Sequence, residues 1–160
     1  MEARVQRRVQ RYGWDLAAPL YEALWQDQLA PAHHAVLAHA RLAAGETVLD
    51  VACGTGLIAF EAARRVGNAG RVVGVDLSGE MVAAAQQRAG EQGLENVAYM
   101  RMDGEQLAPR DGAFDVVVCA LGLMYMPEPE QALREMRRVL KPGGRLLLAV
   151  WGARVRQLRA

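Results

Sequence analysis

The chain has 160 residues, 52% of them hydrophobic, which is long enough for one domain around a single core. Its net charge of +1 argues against a dedicated nucleic-acid-binding protein, because such domains usually carry a strongly basic balance. No apolar run is long enough to span a bilayer, and the basic N-terminus lacks the apolar segment of a secretory signal. Two cysteines cannot form a disulfide framework, so we expect a cytoplasmic protein with reduced thiols.

Residues 1–43 are predicted to form an N-terminal helical cap. Pro19 and Pro31 interrupt this stretch. Its aromatic residues are Tyr12, Trp14, Tyr21 and Trp25. Arginines recur at helical spacing, at Arg4, Arg7, Arg8 and Arg11. We interpret these arginines as a solvated helix face, with a docking surface for an acidic partner as the alternative.

From Gly45 onward, predicted strands and helices alternate along the chain. The predicted strands are Thr47–Val51, Arg71–Asp76, Val97–Met102, Phe114–Ala120 and Arg145–Trp151. The predicted helices are Leu57–Val66, Met81–Glu91, for which Ser78 is the candidate N-cap, and Glu128–Leu140. This alternation predicts an α/β fold, a doubly wound parallel sheet with helices on both faces. We assign residues 44–151 to this core and residues 152–160 to a basic tail.

Three of the predicted strands end in, or next to, a carboxylate. Asp50 lies at the end of the first strand, Asp76 ends the second, and Asp103 follows the third. Ligands of open parallel sheets bind beyond the carboxyl ends of the strands, so these side chains are the candidates for a binding site. The small-residue loop Ala52–Gly56 follows the first strand and precedes a helix, whose N-terminus offers free N–H groups.

The spacing of these residues suits an adenosine-containing ligand. Asp76 lies 22 residues after Gly54, which fits hydrogen bonding to two ribose hydroxyls, although Asp76 could also cap the next helix. No basic residue follows it directly, which argues against a 2′-phosphate. Asp103 is placed to accept from an adenine amino group, or it belongs to an ordinary turn.

The loop pattern by itself is also compatible with a nicotinamide-dependent oxidoreductase as an alternative function. The pattern Gly54-x-Gly56-x-x-Ala59 also satisfies the dinucleotide-binding fingerprint. Asp50, however, precedes the turn close to where a pyrophosphate would lie, and its charge would repel that group. An ammonium group is a better partner for this carboxylate.

Five segments together resemble the class I S-adenosylmethionine-dependent methyltransferases. They are Asp50-Val-Ala-Cys-Gly-Thr-Gly56, Gly74-Val-Asp76-Leu-Ser78, Asp103, Phe114-Asp115-Val-Val-Val118 and Arg138-Val-Leu-Lys-Pro-Gly-Gly144. The likeness covers about residues 45–151 and is strongest to the small-molecule group that includes the ubiquinone/menaquinone-biosynthesis methyltransferases. It implies a Rossmann-like sheet of strand order 3-2-1-4-5.

The resemblance implies S-adenosylmethionine as cofactor and a small-molecule methyl acceptor. Asp50 and the Ala52–Gly56 loop would hold the methionine portion, Asp76 the ribose, and Asp103 the adenine amine, with Leu77 and Met102 against the adenine. The complete set of cofactor-binding residues implied is Asp50, Ala52, Cys53, Gly54, Gly56, Asp76, Leu77, Met81, Met102, Asp103, Gly104, Cys119 and Leu121.

The sequence departs from the family pattern in two places. Ala52 stands at a position that prefers glycine in the family. The family sheet normally has seven strands, and the antiparallel last two have no counterpart here, so the predicted fifth strand becomes an apolar edge. We therefore expect self-association through this edge and impaired turnover. A non-catalytic nucleotide-binding or assembly module is the resulting alternative.

No catalytic residue is assigned from the sequence, although several side chains are candidates for the acceptor side. His33, His34 and His39 could supply a base, or be solvated. Tyr12, Tyr21 and Trp25 could close over the cofactor or pack in the cap, and Tyr125 follows the fourth strand. Cys53 and Cys119 are interpreted as small residues that line the site. No metal site is expected, because a metal ion needs more ligands.

Overall fold

A computed structural model of the protein describes residues 2–152, so the predicted basic tail lies outside the described residues apart from Gly152. The helices are α1 (Ala3–Ala17), α2 (Tyr21–Ala40), α3 (Leu57–Val66), α4 (Gly79–Glu91) and α5 (Pro129–Val139). The strands are β1 (Thr47–Val51), β2 (Arg71–Asp76), β3 (Val97–Arg101), β4 (Phe114–Ala120) and β5 (Leu140–Ala149). Within the described part of the chain, no helix is long and apolar enough to cross a membrane.

The five strands form one parallel sheet of order β3-β2-β1-β4-β5, which confirms the predicted fold and strand order. β1 lies at the centre and is buried on both faces. Val48 packs into a core cluster with α2, α3 and α4, while the next residue, Leu49, packs into a second cluster with α5. Because all strands run the same way, their carboxyl ends meet at a single edge.

The last strand begins earlier than the sequence predicted. We predicted a strand from Arg145, whereas β5 starts at Leu140, which pairs with Phe114. The ladder then skips to a pair between Val116 and Arg145, so residues 141–144 form a bulge within the strand. Pro142 lacks an N–H and Gly143 has a φ of 78°, which explains why the ladder breaks there. β5 lies at the sheet edge, as predicted.

The predicted N-terminal helices are present as α1 and α2, but Pro31 lies inside α2 and does not end it. Asp27, whose carbonyl loses its helical partner at Pro31, is exposed, as is Pro31, so water can solvate that carbonyl. α2 packs on the core through Val36, Leu37 and Ala40, whereas α1 has no buried residue. Hydrophobic packing of the N-terminal helices on the sheet core therefore comes mainly from α2.

A glycine in β2 allows a tyrosine ring to lie across the sheet. Gly74 pairs with Asp50 on one side and with Tyr99 on the other. A Cβ at position 74 would lie 2.5 Å from Cδ1 of Tyr99 and 3.0 Å from Sγ of Cys53. Glycine at a strand centre thus marks a close approach beneath the carboxyl edge.

Gly74→Ala should destabilise the protein by about 1–3 kcal/mol, because the added methyl group must displace the buried Tyr99 ring. The free energy of unfolding in urea measures the effect. Gly90→Ala in α4 is the matched control, since a Cβ at position 90 would have no atom within 4 Å, and it should stabilise the helix by up to about 1 kcal/mol. Equal effects at both positions would contradict this packing explanation.

Candidate functional site

A cavity of about 530 Å³ lies at the carboxyl edge of the sheet. Its floor comes from the segments that follow β1, β2, β3 and β4, and its roof comes from α1 and α2. Doubly wound sheets bind ligands in this position. The cavity is therefore the candidate site.

Nine of the thirteen predicted cofactor residues line this cavity. They are Ala52, Gly54, Asp76, Leu77, Met81, Met102, Asp103, Gly104 and Leu121. The other four do not line it; they are Asp50, Cys53, Gly56 and Cys119, all buried behind its surface.

The two glycines of the loop after β1 have different surroundings. Gly54 lines the cavity with a φ of 54°, and the atom nearest to a Cβ placed there would be Cε1 of Tyr21, at 3.7 Å. Gly56 has a φ of 91°, and a Cβ there would lie 2.7 Å from the hydroxyl of Tyr99 and 2.8 Å from Cζ of Phe60. Only Gly54 leaves room for a ligand to approach the backbone, whereas Gly56 is needed for packing beneath the loop.

Backbone strain borders the cavity at the ends of β1 and β4. Ala52 and Leu121 have φ values of 58° and 62°, in the left-handed region that non-glycine residues seldom adopt. A Cβ on Gly122 would lie 2.4 Å from that of Ala52, so the two loops touch. Strained residues of this kind concentrate at ligand sites, where the surrounding structure holds them in place.

The Asp76 carboxylate connects the loops that follow β1 and β2. Oδ2 accepts from the N–H of Gly54 at 2.8 Å, and Oδ1 accepts from the N–H of Ser78 at 2.9 Å. Ser78 also caps α4 as predicted, with its hydroxyl accepting from the N–H of Met81. Burial raises the pKa of Asp76, and the hydrogen bonds from Ser78 and Gly54 partly oppose that shift. This carboxylate thus organises the floor of the cavity.

Asp50 is a buried carboxyl group without a full set of partners. It is 2% exposed, and its Oδ2 has no hydrogen-bond partner. Burial, reinforced by the negative charge of Asp76, raises the pKa of Asp50 to about 8. A cation placed nearby would restore the ionised form, so this group favours a positively charged ligand.

Asp103 is paired with an arginine from the cap. Nε of Arg7 lies 3.2 Å from Oδ2 of Asp103 and donates to Oε2 of Glu105 at 2.7 Å, while Nη2 also pairs with Glu128. Glu105 is 4% exposed, and its other carboxylate oxygen accepts from the N–H of Glu128. The prediction of a solvated arginine face is therefore wrong for Arg7, which faces the cavity. Arg4 and Arg8 are exposed, in agreement with the prediction, whereas Arg11 is only partly exposed and its Nε is buried without a hydrogen-bond partner.

Aromatic side chains form the wall between the cap and the floor. Trp14 packs edge-to-face on Tyr21 and on Tyr125, with ring centroids 6.0 and 5.2 Å apart. Trp25 also lines the cavity, whereas Tyr12 points away and is 64% exposed. Burial, together with the Asp76 charge, raises the pKa of Tyr21 to about 12, so its hydroxyl stays protonated. Tyr21, Trp25 and Tyr125, which the sequence analysis named as candidates for the acceptor side, thus all line the cavity.

The structure places none of the histidines at the cavity. His33 and His34 line a separate space of about 390 Å³ between α2 and α3, and Nδ1 of His39 lies 2.8 Å from the carbonyl oxygen of Ala35. Burial raises the pKa of both Cys53 and Cys119, the latter to about 12, so both remain thiols. Among residues 2–152, no cluster of three or more metal-binding side chains is present.

Sequence reasoning missed several residues of the α1 side. Arg7, Gln10, Trp14 and Ala17 all line the cavity. Their spacing of three, four and three residues defines one helix face, which is a signal that the sequence did contain. Glu105 and Met126 were also missed, because each lies in a connecting segment without a distinctive pattern.

Comparisons with known proteins identify relatives of this fold. The sequence profile of a family described as "Methyltransferase domain" matches residues 48–144. The ubiquinone/menaquinone biosynthesis C-methyltransferases UbiE of Cellvibrio japonicus and Idiomarina loihiensis are 40% and 42% identical over 105 residues, covering 65% of this chain. Each alignment covers only 42% of the relative's own length, so the chain spans about two fifths of the length of the curated relatives it matches.

Solved structures show the same similarity. The [4+2]-cyclase SpnF matches with a TM-score of 0.80 at 32% identity, over 89% of this chain and 59% of that protein. A SAM-dependent methyltransferase from Aquifex aeolicus matches with a TM-score of 0.71 at 26% identity, over 100% of this chain and 78% of that protein. The profile match spans more than half of the sequence, and the chain belongs to the methyltransferase domain family.

Proposed function

We propose that this domain binds S-adenosylmethionine in the cavity and transfers its methyl group to an apolar small molecule. One observation carries the proposal: at the ends of three neighbouring strands, the carboxylates of Asp76 and Asp103 line one cavity and that of Asp50 is buried behind its surface. Arg7 is the only cationic side chain that lines the cavity within residues 2–152, and it is already paired with carboxylates. This charge distribution suits a cationic ligand and repels a pyrophosphate.

The residues present fit the cofactor. Asp76 has two carboxylate oxygens beside the glycine loop, and these would accept from the ribose hydroxyls. Leu77, Met81 and Met102 line the cavity and would supply apolar surface for the adenine, and Asp103 would accept from its amine. The unpartnered oxygen of Asp50 supplies the negative charge that the ammonium of the methionine portion needs, directly or through water. The loop residues Ala52, Cys53, Gly54 and Gly56, with Gly104, Cys119 and Leu121, complete the proposed set.

When bound, the cofactor supplies an electrophilic methyl group on a sulfonium. The chain's part is then to orient the acceptor and exclude water, which such a displacement needs more than a strong base. Trp14, Tyr21, Tyr125 and Met126 give the cavity an apolar wall for this purpose. An apolar acceptor with an aromatic or extended hydrocarbon part matches these walls.

The cap closes the cavity in this proposal. Arg7 joins α1 to Asp103 and Glu105, and Asp15 accepts from the hydroxyl of Ser78 at 2.6 Å. Residues 1–43 would thus act as a cap over a cofactor-binding core at 44–151. A cytoplasmic location is a separate part of the proposal. Because Asp103 is shared between Arg7 and the proposed adenine site, closure of the cap and cofactor binding involve the same carboxylate.

Methyl transfer is distinguished from its alternatives by two measurements. Calorimetric titration with S-adenosylmethionine and with NAD separates a methyltransferase from an oxidoreductase. Methyl-labelled cofactor, incubated with a panel of apolar aromatic acceptors, then shows whether label reaches a product. Since SpnF is a cyclase with a similar structure, cofactor binding without label transfer would contradict the proposed reaction while retaining the proposed site.

Asp76→Ala should weaken S-adenosylmethionine binding by about 1.5–3 kcal/mol, the range for hydrogen bonds to charged groups. Asp76→Asn, which retains an acceptor oxygen for the loop, should lose less. Calorimetry measures both, with Asp27→Ala, an exposed carboxylate on α2, as the control. Unchanged affinity in Asp76→Ala would remove Asp76 from the ribose role.

Asp50→Asn should stabilise the folded protein at pH 7 by about 1–4 kcal/mol. The folded-state pKa of about 8 lies above the unfolded value, so the wild type loses stability as pH rises from about 4 towards 8, and the amide does not. Urea unfolding at several pH values measures this. Cofactor affinity should strengthen from pH 6 towards 8 in the wild type as Asp50 ionises. If the Asp50→Asn variant shows the same pH dependence, Asp50 does not hold the ammonium.

Arg7→Ala should loosen α1 while leaving the sheet intact. The change removes the partner of the buried Glu105 and of Asp103, so α1 should lose protection from hydrogen exchange and the cofactor should dissociate faster. Arg4→Ala, on the exposed side of the same helix, is the control. Equal protection of α1 in the two variants would show that the ion pairs do not hold the cap.

A further inference from the structure

The outer face of α1 is a continuous apolar stripe. Val5, Val9, Tyr12 and Leu16 are 42%, 56%, 64% and 65% exposed. Their spacing of four, three and four residues places them on one side of the helix, which we call the α1 stripe. Exposed apolar side chains continue at four-residue intervals into Leu20 and Leu24, both 60% exposed. Contiguous apolar surface of this kind marks an interaction site.

The inner face of α1 is the more polar one. Arg7, Gln10 and Trp14 line the cavity, and no residue of α1 is buried. A surface helix normally turns its apolar side towards the core and its polar side towards water. In α1 four large apolar side chains face outward instead, so the α1 stripe is exposed and is not part of the described core.

Arginines outnumber carboxylates on one flank of the stripe. Arg4 and Arg8 are exposed along one flank. The carboxylate of Asp15, on the same flank, is occupied by the hydroxyl of Ser78 and the N–H of Glu80. Glu2, which directly precedes α1, is exposed, and two exposed carboxylate residues of other elements contact the helix: Glu128 pairs with Arg7 on the inner face, and the N–H of Glu80 donates to Asp15. An apolar stripe flanked by arginines complements an anionic surface with an apolar interior.

We propose that α1 docks on an anionic lipid surface, with the α1 stripe inserted among the acyl chains and Arg4 and Arg8 at the headgroups. A 15-residue helix is about 22 Å long and would lie in the plane of the interface. The helix lies on the membrane without spanning it. The inner face of α1 remains available to the cavity, so docking does not depend on the proposed methyl transfer.

Two other occupants of the stripe fit the charges less well. In an antiparallel pair of copies, the arginine flanks of the two α1 helices would meet and repel one another. In a parallel pair, Arg8 would face the uncharged side of the partner helix, at Gln6 and Gly13. Residues 153–160 contain three arginines and no acidic side chain, so their charge disfavours them as a cover for this flank.

The test is co-sedimentation of the full chain with vesicles of phosphatidylcholine alone or mixed with phosphatidylglycerol. The wild type should bind the mixed vesicles and bind less as salt is added. Val9→Glu with Leu16→Glu should abolish binding. Arg4→Gln with Arg8→Gln should weaken it by about 25-fold, from roughly fivefold for each arginine at an anionic surface. Arg137→Gln, an exposed arginine of α5, should leave binding unchanged.

Folding of each variant is checked by circular dichroism, so that loss of binding is not mistaken for unfolding. Equal sedimentation with both vesicle types, or none with either, would overturn the proposal. Analytical ultracentrifugation without lipid tests the alternative occupant. A wild-type dimer that becomes monomeric in Val9→Glu with Leu16→Glu, without vesicle binding, would assign the stripe to a second copy of the chain instead.

Discussion

The hydrogen bonds received by the Asp76 carboxylate are the interaction on which the cavity depends most. They connect the loop after β1, through the N–H of Gly54, with the start of α4, through the N–H of Ser78. Both loops leave neighbouring parallel strands, and the carboxylate extends their connection beyond the last backbone hydrogen bond, which runs from the N–H of Cys53 to the carbonyl oxygen of Val75. The cavity floor is thus arranged before a ligand enters, which lowers the entropy cost of binding.

The buried carboxyl group of Asp50 near the carboxyl edge of the sheet lowers the stability of the folded protein. Asp50 sits in the central strand between fully buried apolar neighbours, and its unpartnered oxygen receives no compensation from the folded protein. The core clusters on both faces of β1 offset that cost. In the proposed function the gain that balances this cost is the attraction of Asp50 for a cationic ligand, in keeping with the usual conflict between stability and function. Because the pKa of Asp50 is raised, this loss of stability depends on pH and grows as the carboxyl group ionises.

The sequence predicted the sheet well because its signals are local. Apolar runs that end in Asp or Gly define β1, β2 and β4, and the bounds of these strands agree with the structure. It could not show which strand-end residues line the cavity: Asp50 and Gly56 lie behind the cavity surface, while Gly54 and Asp76 line it. Nor could it orient α1, since Arg7 is drawn inward by Asp103 and Glu105, carboxylates remote in the sequence. The bulge in β5 likewise depends on its pairing with β4.

The attachment of α1 follows from this reversal of its faces. A helix with no buried residue gains little from the hydrophobic effect, so its position depends on ion pairs at Arg7, the Asp15–Ser78 hydrogen bond and the edge-to-face contacts of Trp14. Elements with so few apolar contacts open at low free-energy cost, which suits a cap that must admit a ligand. A partner surface that binds the α1 stripe only while α1 covers the cavity would shift the equilibrium between the open and the closed cap towards the closed one. Occupation of the outer face and retention of a ligand beneath the inner face would then reinforce each other, because both stabilise the same position of one helix.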